Sequence, residues 1–144
     1  GELNYEALHQ LEYLDCVIQE SIRLRTSFPF MLRICQTSYK IPGSDLVLEA
    51  GTTVMIPNNA IHLDPVNYPD PGLFIPSRFK DNHFKPSPTY LPFGAGPRIC
   101  LAFKLVVLQL KVAVAKILLN YSVNLNMKTQ LPVRYAPQFM IKSQ

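Results

Sequence analysis

The chain has 144 residues, 48% of them hydrophobic and 17% charged, with a net charge of +4 and a pI near 9.0. That apolar content builds a core and excludes a disordered chain, and the low charge suits a piece whose apolar faces meet other partners. The basic residues are scattered, so nucleic-acid binding is not expected; Cys16, Cys35 and Cys100 are odd in number with no Cys-x-x-Cys, which excludes a disulfide framework or zinc site and fits a reducing compartment.

The sequence begins mid-pattern at Gly1-Glu2-Leu3, with neither an initiator Met nor a signal peptide, and ends at Gln144. It is therefore expected to be the C-terminal portion of a longer protein. Asn4 predicts a cap for a short helix at Tyr5-Glu6-Ala7-Leu8. Residues 12–24 predict a second helix, because Leu14, Val17, Ile18, Ser21 and Ile22 recur at spacings of three and four and mark one buried face. Glu20 and Arg23 are neighbours on that helix. On an exposed face such a pair contributes about 0.3–0.5 kcal/mol. Residues 34–36 and 39–41 read as short strands, followed by a Pro42-Gly43-Ser44-Asp45 turn and a hairpin partner at residues 46–48. Cys16 in the helix and Cys35 in the strand read as small core residues. Ala50-Gly51 turns again into a β-branched strand at residues 52–56. A short helix is expected around Ala60-Ile61-His62. His62 has no second His at ligand spacing and reads as a hydrogen-bonding residue of core or surface.

Residues 64–97 contain Pro65, Pro69, Pro71, Pro76, Pro86, Pro88, Pro92 and Pro97, which rules out regular helix or a central strand. They also carry Tyr68, Phe74, Phe79, Phe84, Tyr90 and Phe93, so a packed, irregular meander is expected rather than a linker. His83 and Lys85 are expected to face solvent. The stretch Pro92-Phe93-Gly94-Ala95-Gly96-Pro97-Arg98-Ile99-Cys100 then delivers one cysteine to the start of an apolar helix at residues 101–120. Free backbone N–H groups and the helix dipole favour an anionic sulfur at such a place. The helix is apolar almost all round and is expected to be buried. Lys104, Gln109, Lys111 and Lys116 interrupt it, which makes it a poor membrane span. Asn120 is a candidate C-cap, and residues 122–125 and 139–141 are strand-like.

Phe93, Gly96, Arg98, Cys100 and Ala102 resemble the haem-binding signature of the cytochrome P-450 family: Phe, two spacers, Gly, spacer, Arg, spacer, Cys, spacer, then Gly or Ala. The resemblance implies that Cys100 is the axial haem ligand and that Arg98 pairs with a haem propionate. It implies that Phe93 shields the thiolate. Glu20 and Arg23 resemble the family's Glu-x-x-Arg element, and Pro76-Ser77-Arg78-Phe79 its Pro-x-Arg-Phe element, with Ser77 in place of the usual acidic residue. Together these imply a buried triad of Glu20, Arg23 and Arg78. Arg33 matches an arginine that reaches the second propionate, and is otherwise an ordinary surface arginine. Phe30 and Met31 fall where the family lines its substrate pocket, and are otherwise plain core.

The expected fold is thus mainly α with small β-sheets (α+β), the C-terminal part of the cytochrome P-450 fold. It would combine buried helices, short β hairpins, the proline-rich meander and the cysteine-ligand loop, with residues 1–144 as one partial domain. The implied function is a haem-thiolate monooxygenase that inserts one atom of O2 into a lipophilic substrate with electrons from an NADPH-dependent reductase. Lys104 and Lys111 would help form the reductase docking face. The parent would lie on the endoplasmic reticulum membrane, cytoplasmic side, through an N-terminal anchor absent from this chain. The chain alone, without the family's oxygen-activating helix, is expected to be inactive. Rival readings are a haem-thiolate isomerase or lyase, a non-catalytic haem-binding protein, and a cysteine-nucleophile enzyme, for which no oriented His accompanies Cys100.

Overall fold

The computed structural model describes residues 4–129 and 131. The strand-like stretch 139–141 lies outside the described residues. Helix α1 (Tyr5–His9) is short and is capped as expected, with Asn4 Oδ1 accepting the Ala7 N–H at 2.9 Å. Helix α2 (Glu12–Leu24) follows at the expected place. Its buried face is turned from the one the apolar spacing marks. Ile18 is buried, but Leu14, Val17 and Ile22 are half-buried and Ser21 is exposed. Gln19, Glu20 and Arg23 are fully buried instead. The irregular meander packs along that polar side, and its backbone groups satisfy the buried side chains. Burying polar groups is tolerable only with such partners.

Strand β1 (Met31–Ile34) begins three residues before the expected one and pairs antiparallel with β4 (Thr53–Ile56), Met31 opposite Ile56. The β-branched partner captures Met31-Leu32-Arg33 into the ladder, which a single-strand reading cannot foresee. Cys35 extends it beyond the strand, donating N–H to Thr52 O at 2.9 Å. Cys35 is half-buried rather than core. Strands β2 (Tyr39–Lys40) and β3 (Val47–Leu48) form the expected hairpin. Helix α3 (Asn58–His62) is tied to the entry of β1 by Asn59 N–H to Pro29 O, 2.9 Å.

The meander holds one regular element, a 3-10 turn at Pro76–Phe79. Its core is aromatic. Cys16, Tyr68, Phe79 and Tyr90 cluster, with the Phe79 and Tyr90 rings 4.5 Å apart. Tyr68 OH donates to Thr89 O at 2.9 Å and Tyr90 OH to Gln19 O at 3.3 Å. Buried tyrosines need such outlets for their hydroxyls. Phe84 sits at φ +59°, where a bulky side chain is strained. The Gln19 side chain holds it there by accepting the Phe84 N–H at 3.1 Å. His83 and Lys85 face solvent, as expected.

Helix α4 (Phe103–Asn120) starts two residues later than expected. It is not a buried helix. Leu105, Ile117, Leu118 and Leu119 are exposed, and Lys111 is its one buried residue. Among the described residues the elements that α4 packs on are chiefly α1 and α2, with Phe103 also against Phe93, and much of its apolar surface is exposed. Asn120 is the last helical residue rather than the cap; its Nδ2 donates to Lys116 O, and Tyr121 N–H closes the end on Ile117 O. Residues 122–125 are not a strand.

The contact of α4 with α2 is an ion pair, Lys111 Nζ to Asp15 Oδ1 at 2.9 Å, with the side chains 6% and 18% exposed. A pair this dry is costly to break from one side, because the other charge stays behind. Lys111→Ala is expected to destabilise the complete protein by about 2 kcal/mol, less than a fully buried pair because Asp15 keeps some water. Urea unfolding of wild type and variant measures it.

Candidate functional site

Two structures make up the site: a buried charge cluster behind it and the cysteine loop in front. In the cluster, Arg23 and Glu20 pair through two bonds, Nε to Oε2 at 2.7 Å and Nη2 to Oε1 at 2.8 Å, both side chains fully buried. Such fork-to-fork pairing is the strong form of a guanidinium–carboxylate contact. Arg23 spends its other donors on carbonyls far along the chain, His62 O at the end of α3 at 2.8 Å and Leu73 O in the meander at 3.2 Å. Glu20 Oε1 accepts the Ile75 N–H at 2.8 Å and lies 3.5 Å from Arg78 Nε. Arg78 Nη2 donates to the carbonyls of Pro69 and Asp70. The Tyr68 ring covers the Arg23 guanidinium at 4.9 Å. Glu20, Arg23 and Arg78 are therefore brought together, and they fasten α2 to the meander.

The loop leaves this frame at Leu91, whose N–H donates to His62 Nε2 at 2.9 Å. It turns back at once, with Gly94 N–H to Leu91 O at 3.3 Å. Gly94 is buried at φ +79°, so a side chain there would be strained. A Cβ at this position would stand 3.5 Å from Met31 Sδ, 3.8 Å from Arg98 O and 3.9 Å from Arg33 Nη2. These are ordinary contacts, so it is the positive φ rather than lack of space that calls for glycine where the loop lies against β1. Met31 and Arg33 alternate on one face of that strand, and it is this face that meets the loop. The far side of the loop is closed by Cys100 N–H to Phe93 O at 2.9 Å and by Ile99 N–H to Gly96 O at 3.0 Å. Cys100 itself is a free, exposed thiol.

Gly96, Arg98 and Ala102 are exposed beside Cys100, and Leu101 is wholly exposed. A Cβ on Gly96 would meet nothing within 4 Å, which leaves the approach open. Arg98 lies in a 3-10 turn at Gly96–Arg98, and Ala102 is the residue before α4. Phe93 is half-buried with its ring 6.0 Å from Phe103. Arg33 is exposed, and its Nη1 donates to Leu32 O at 2.8 Å. Phe30 and Met31 are half-buried at the start of β1.

The cytochrome P450 family model matches residues 1–144. The chain belongs to the cytochrome P450 family. It is 38% identical over 146 residues to a probable cytochrome P450 6a13 of Drosophila melanogaster, covering 99% of this chain and 30% of that protein. It is 41% identical over 138 residues to cytochrome P450 9e2 of Blattella germanica, covering 93% and 26%. Cytochrome P450 3A13 of Mus musculus is 39% identical over 140 residues, covering 96% and 27%. The chain therefore spans less than a third of each of these relatives. The family's cofactor is haem, its iron held by a cysteine thiolate.

The donor set of the loop fits that cofactor. One exposed thiol is what an iron already held in a macrocycle takes from one side. Two arginines, one on the loop and one on β1, offer positive charge to carboxylates, and open glycine backbone admits a flat ring. The docking role given to Lys111 needs correction, since its ammonium is buried on Asp15 and unavailable to a partner. Lys104, in the first turn of α4, is exposed. No helix among the described residues is long and apolar enough to cross a membrane. Sequence reading also missed the Asp15–Lys111 pair and the part played by His62. Neither has a motif: the pair depends on α4 packing on α2, and the bonds of His62 on how α3 lies between α2 and the loop.

Proposed function

We propose that this chain is the haem-binding, C-terminal part of a haem-thiolate monooxygenase, forming one partial domain over residues 1–144. The reading rests above all on Cys100, an exposed thiol at the end of a loop that its own N–H closes on Phe93 O. Haem bound there would supply activation of O2, so that an organic substrate, O2, two electrons and two protons yield one hydroxylated product and one water. The protein's share is binding and orientation. Cys100 would hold the iron. Arg98 and Arg33 would neutralise the two propionates, and Phe93 would restrict water near the sulfur. Gly96 and Ala102 keep the backbone slim where the ring approaches, and Phe30 and Met31 would line the substrate side. Glu20, Arg23 and Arg78 take no part in the chemistry; they hold the frame from which the loop springs.

The complete protein would take a lipophilic substrate, O2 and electrons from an NADPH-dependent reductase, on the cytoplasmic side of the endoplasmic reticulum membrane through an N-terminal anchor. This chain alone, with half of the cofactor's surroundings missing, would not turn over substrate. The test is the reduced carbon monoxide difference spectrum of the complete protein. A thiolate-type Soret band supports the reading and its absence refutes it. Dependence on NADPH and reductase then separates a monooxygenase from an isomerase or lyase, and turnover without added electrons refutes the former.

Lys104 is the docking residue that survives on α4. Charge complementarity chiefly speeds association. Lys104→Glu is expected to slow reductase-driven haem reduction about threefold at low salt, with the difference vanishing at high salt. Stopped-flow reduction across a salt series measures this, and equal rates at low salt would refute it.

A further inference from the structure

We propose that His62 is a positioning residue for the cysteine loop: its carbonyl is gripped by Arg23 and its Nε2 grips the Leu91 N–H, so it fixes where the loop begins. The proposal rests on the reading of Cys100 as the iron ligand. His62 is fully buried in α3, so both of its bonds are shielded from water. No other single residue described above bonds both the charge cluster and the loop. From Leu91 the path to the thiol is short: Leu91 O takes the Gly94 N–H, and Phe93 O takes the Cys100 N–H.

The histidine is retained at a cost. Because Nε2 accepts a hydrogen bond, the proton of the neutral ring sits on Nδ1, and Nδ1 is buried with no partner among the described residues. A phenyl ring in the same space would remove that orphan. What histidine adds over phenyl is the acceptor for Leu91. Buried groups left unpaired in native proteins call for such a reason.

The same geometry makes the anchor sensitive to acid. A second proton on Nε2 would turn the acceptor into a donor facing the Leu91 N–H. Burial, and next the Arg23 charge, lower the His62 pKa from 6.5 to about 4. The unfolded ring takes its proton at the ordinary value and the folded ring resists, so the stability linked to His62 falls as pH drops from 6.5 towards 4. Around this place Arg23 from α2 bonds the His62 carbonyl and pairs with Glu20, Tyr68 covers the Arg23 guanidinium, and Arg78 lies 3.5 Å from Glu20. The Tyr90 ring lies 5.6 Å from that of His62. Burial pushes both tyrosines upward, so neither changes charge in acid. Glu20 is the remaining carboxylate, and a variant at His62 separates the two.

The experiment uses the complete haem-loaded protein. Wild type, His62→Gln and His62→Phe are titrated with acid while the thiolate-type band of the reduced carbon monoxide complex is followed. Amide exchange at Leu91 is measured at neutral pH. Glutamine keeps an acceptor but takes no proton. Wild type is expected to lose the band between pH 6.5 and 4. His62→Gln is expected to lose it about one pH unit lower. Exchange at Leu91 is expected to be about tenfold faster in His62→Phe and unaltered in His62→Gln. A His62→Gln midpoint equal to that of wild type overturns the proposal, and so does unaltered Leu91 exchange in His62→Phe. Where His62→Phe does not accumulate, the His62→Gln titration decides. A wild type without the band at neutral pH overturns the ligand reading instead, and Leu91 exchange then judges the role of His62 by itself.

Discussion

Cys100→Ser in the complete protein is expected to abolish the thiolate-type carbon monoxide band and substrate oxygenation while leaving the fold intact. Both halves follow from position. The sulfur is exposed at the end of the loop, and the bond that closes the loop comes from the Cys100 backbone, which serine keeps. Exposed substitutions of this kind change stability by about 0.5 kcal/mol or less. Without haem the variant should therefore unfold at the same urea concentration as haem-free wild type, and with haem it should differ in spectrum and turnover. Serine offers a harder, less electron-rich oxygen in place of the thiolate on which the family's chemistry depends. Spectra and turnover identical to wild type would end the proposed function.

Glu20→Ala is expected to act in the opposite way, through the fold and not the spectrum's type. It strips the carboxylate from Arg23, from Arg78 and from the Ile75 N–H at once. A guanidinium left buried without its partner costs roughly 3–5 kcal/mol. That is a large share of the 5–15 kcal/mol or so that holds a typical domain together. The expected outcome is poor accumulation, weak haem retention and a much lower urea midpoint, with whatever haem is bound still thiolate-ligated. Arg23→Lys should also be severe, since an ammonium cannot reproduce the two-bond fork or reach two carbonyls as well. An unchanged urea midpoint in Glu20→Ala would show that the cluster does not support the frame.

How far these elements could be read from sequence depended on whether their causes were local. The Asn4 cap, the extent of α2, the Pro42-Gly43 hairpin and the irregular meander are written in neighbouring residues, and the structure has them there. The cysteine loop was legible because its glycines, arginine and cysteine stand at fixed spacing. Burial was less legible. Apolar spacing marks Leu14 and Ile22 for the inside of α2, yet Gln19 and Glu20 lie deeper because the meander, 65 and 55 residues later, supplies their partners. The apolar composition of α4 likewise implies cover on all sides, whereas among the described residues Leu105, Ile117, Leu118 and Leu119 are exposed. β1 began early because its register is set by residues 53–56. His62 looked ordinary for the same reason, since both of its bonds reach across the chain, 39 and 29 residues away.

Those long reaches bear on how the protein is made. A ribosome releases the chain from its N-terminal end at about 5–20 residues per second. Glu20 and Arg23 emerge together, but His62 follows 39 residues after Arg23, and Ile75 follows 55 after Glu20. For several seconds the two charges have each other and water, and α2 has no meander to dock against. The frame beneath the thiol loop can close only once residue 75 has cleared the exit tunnel.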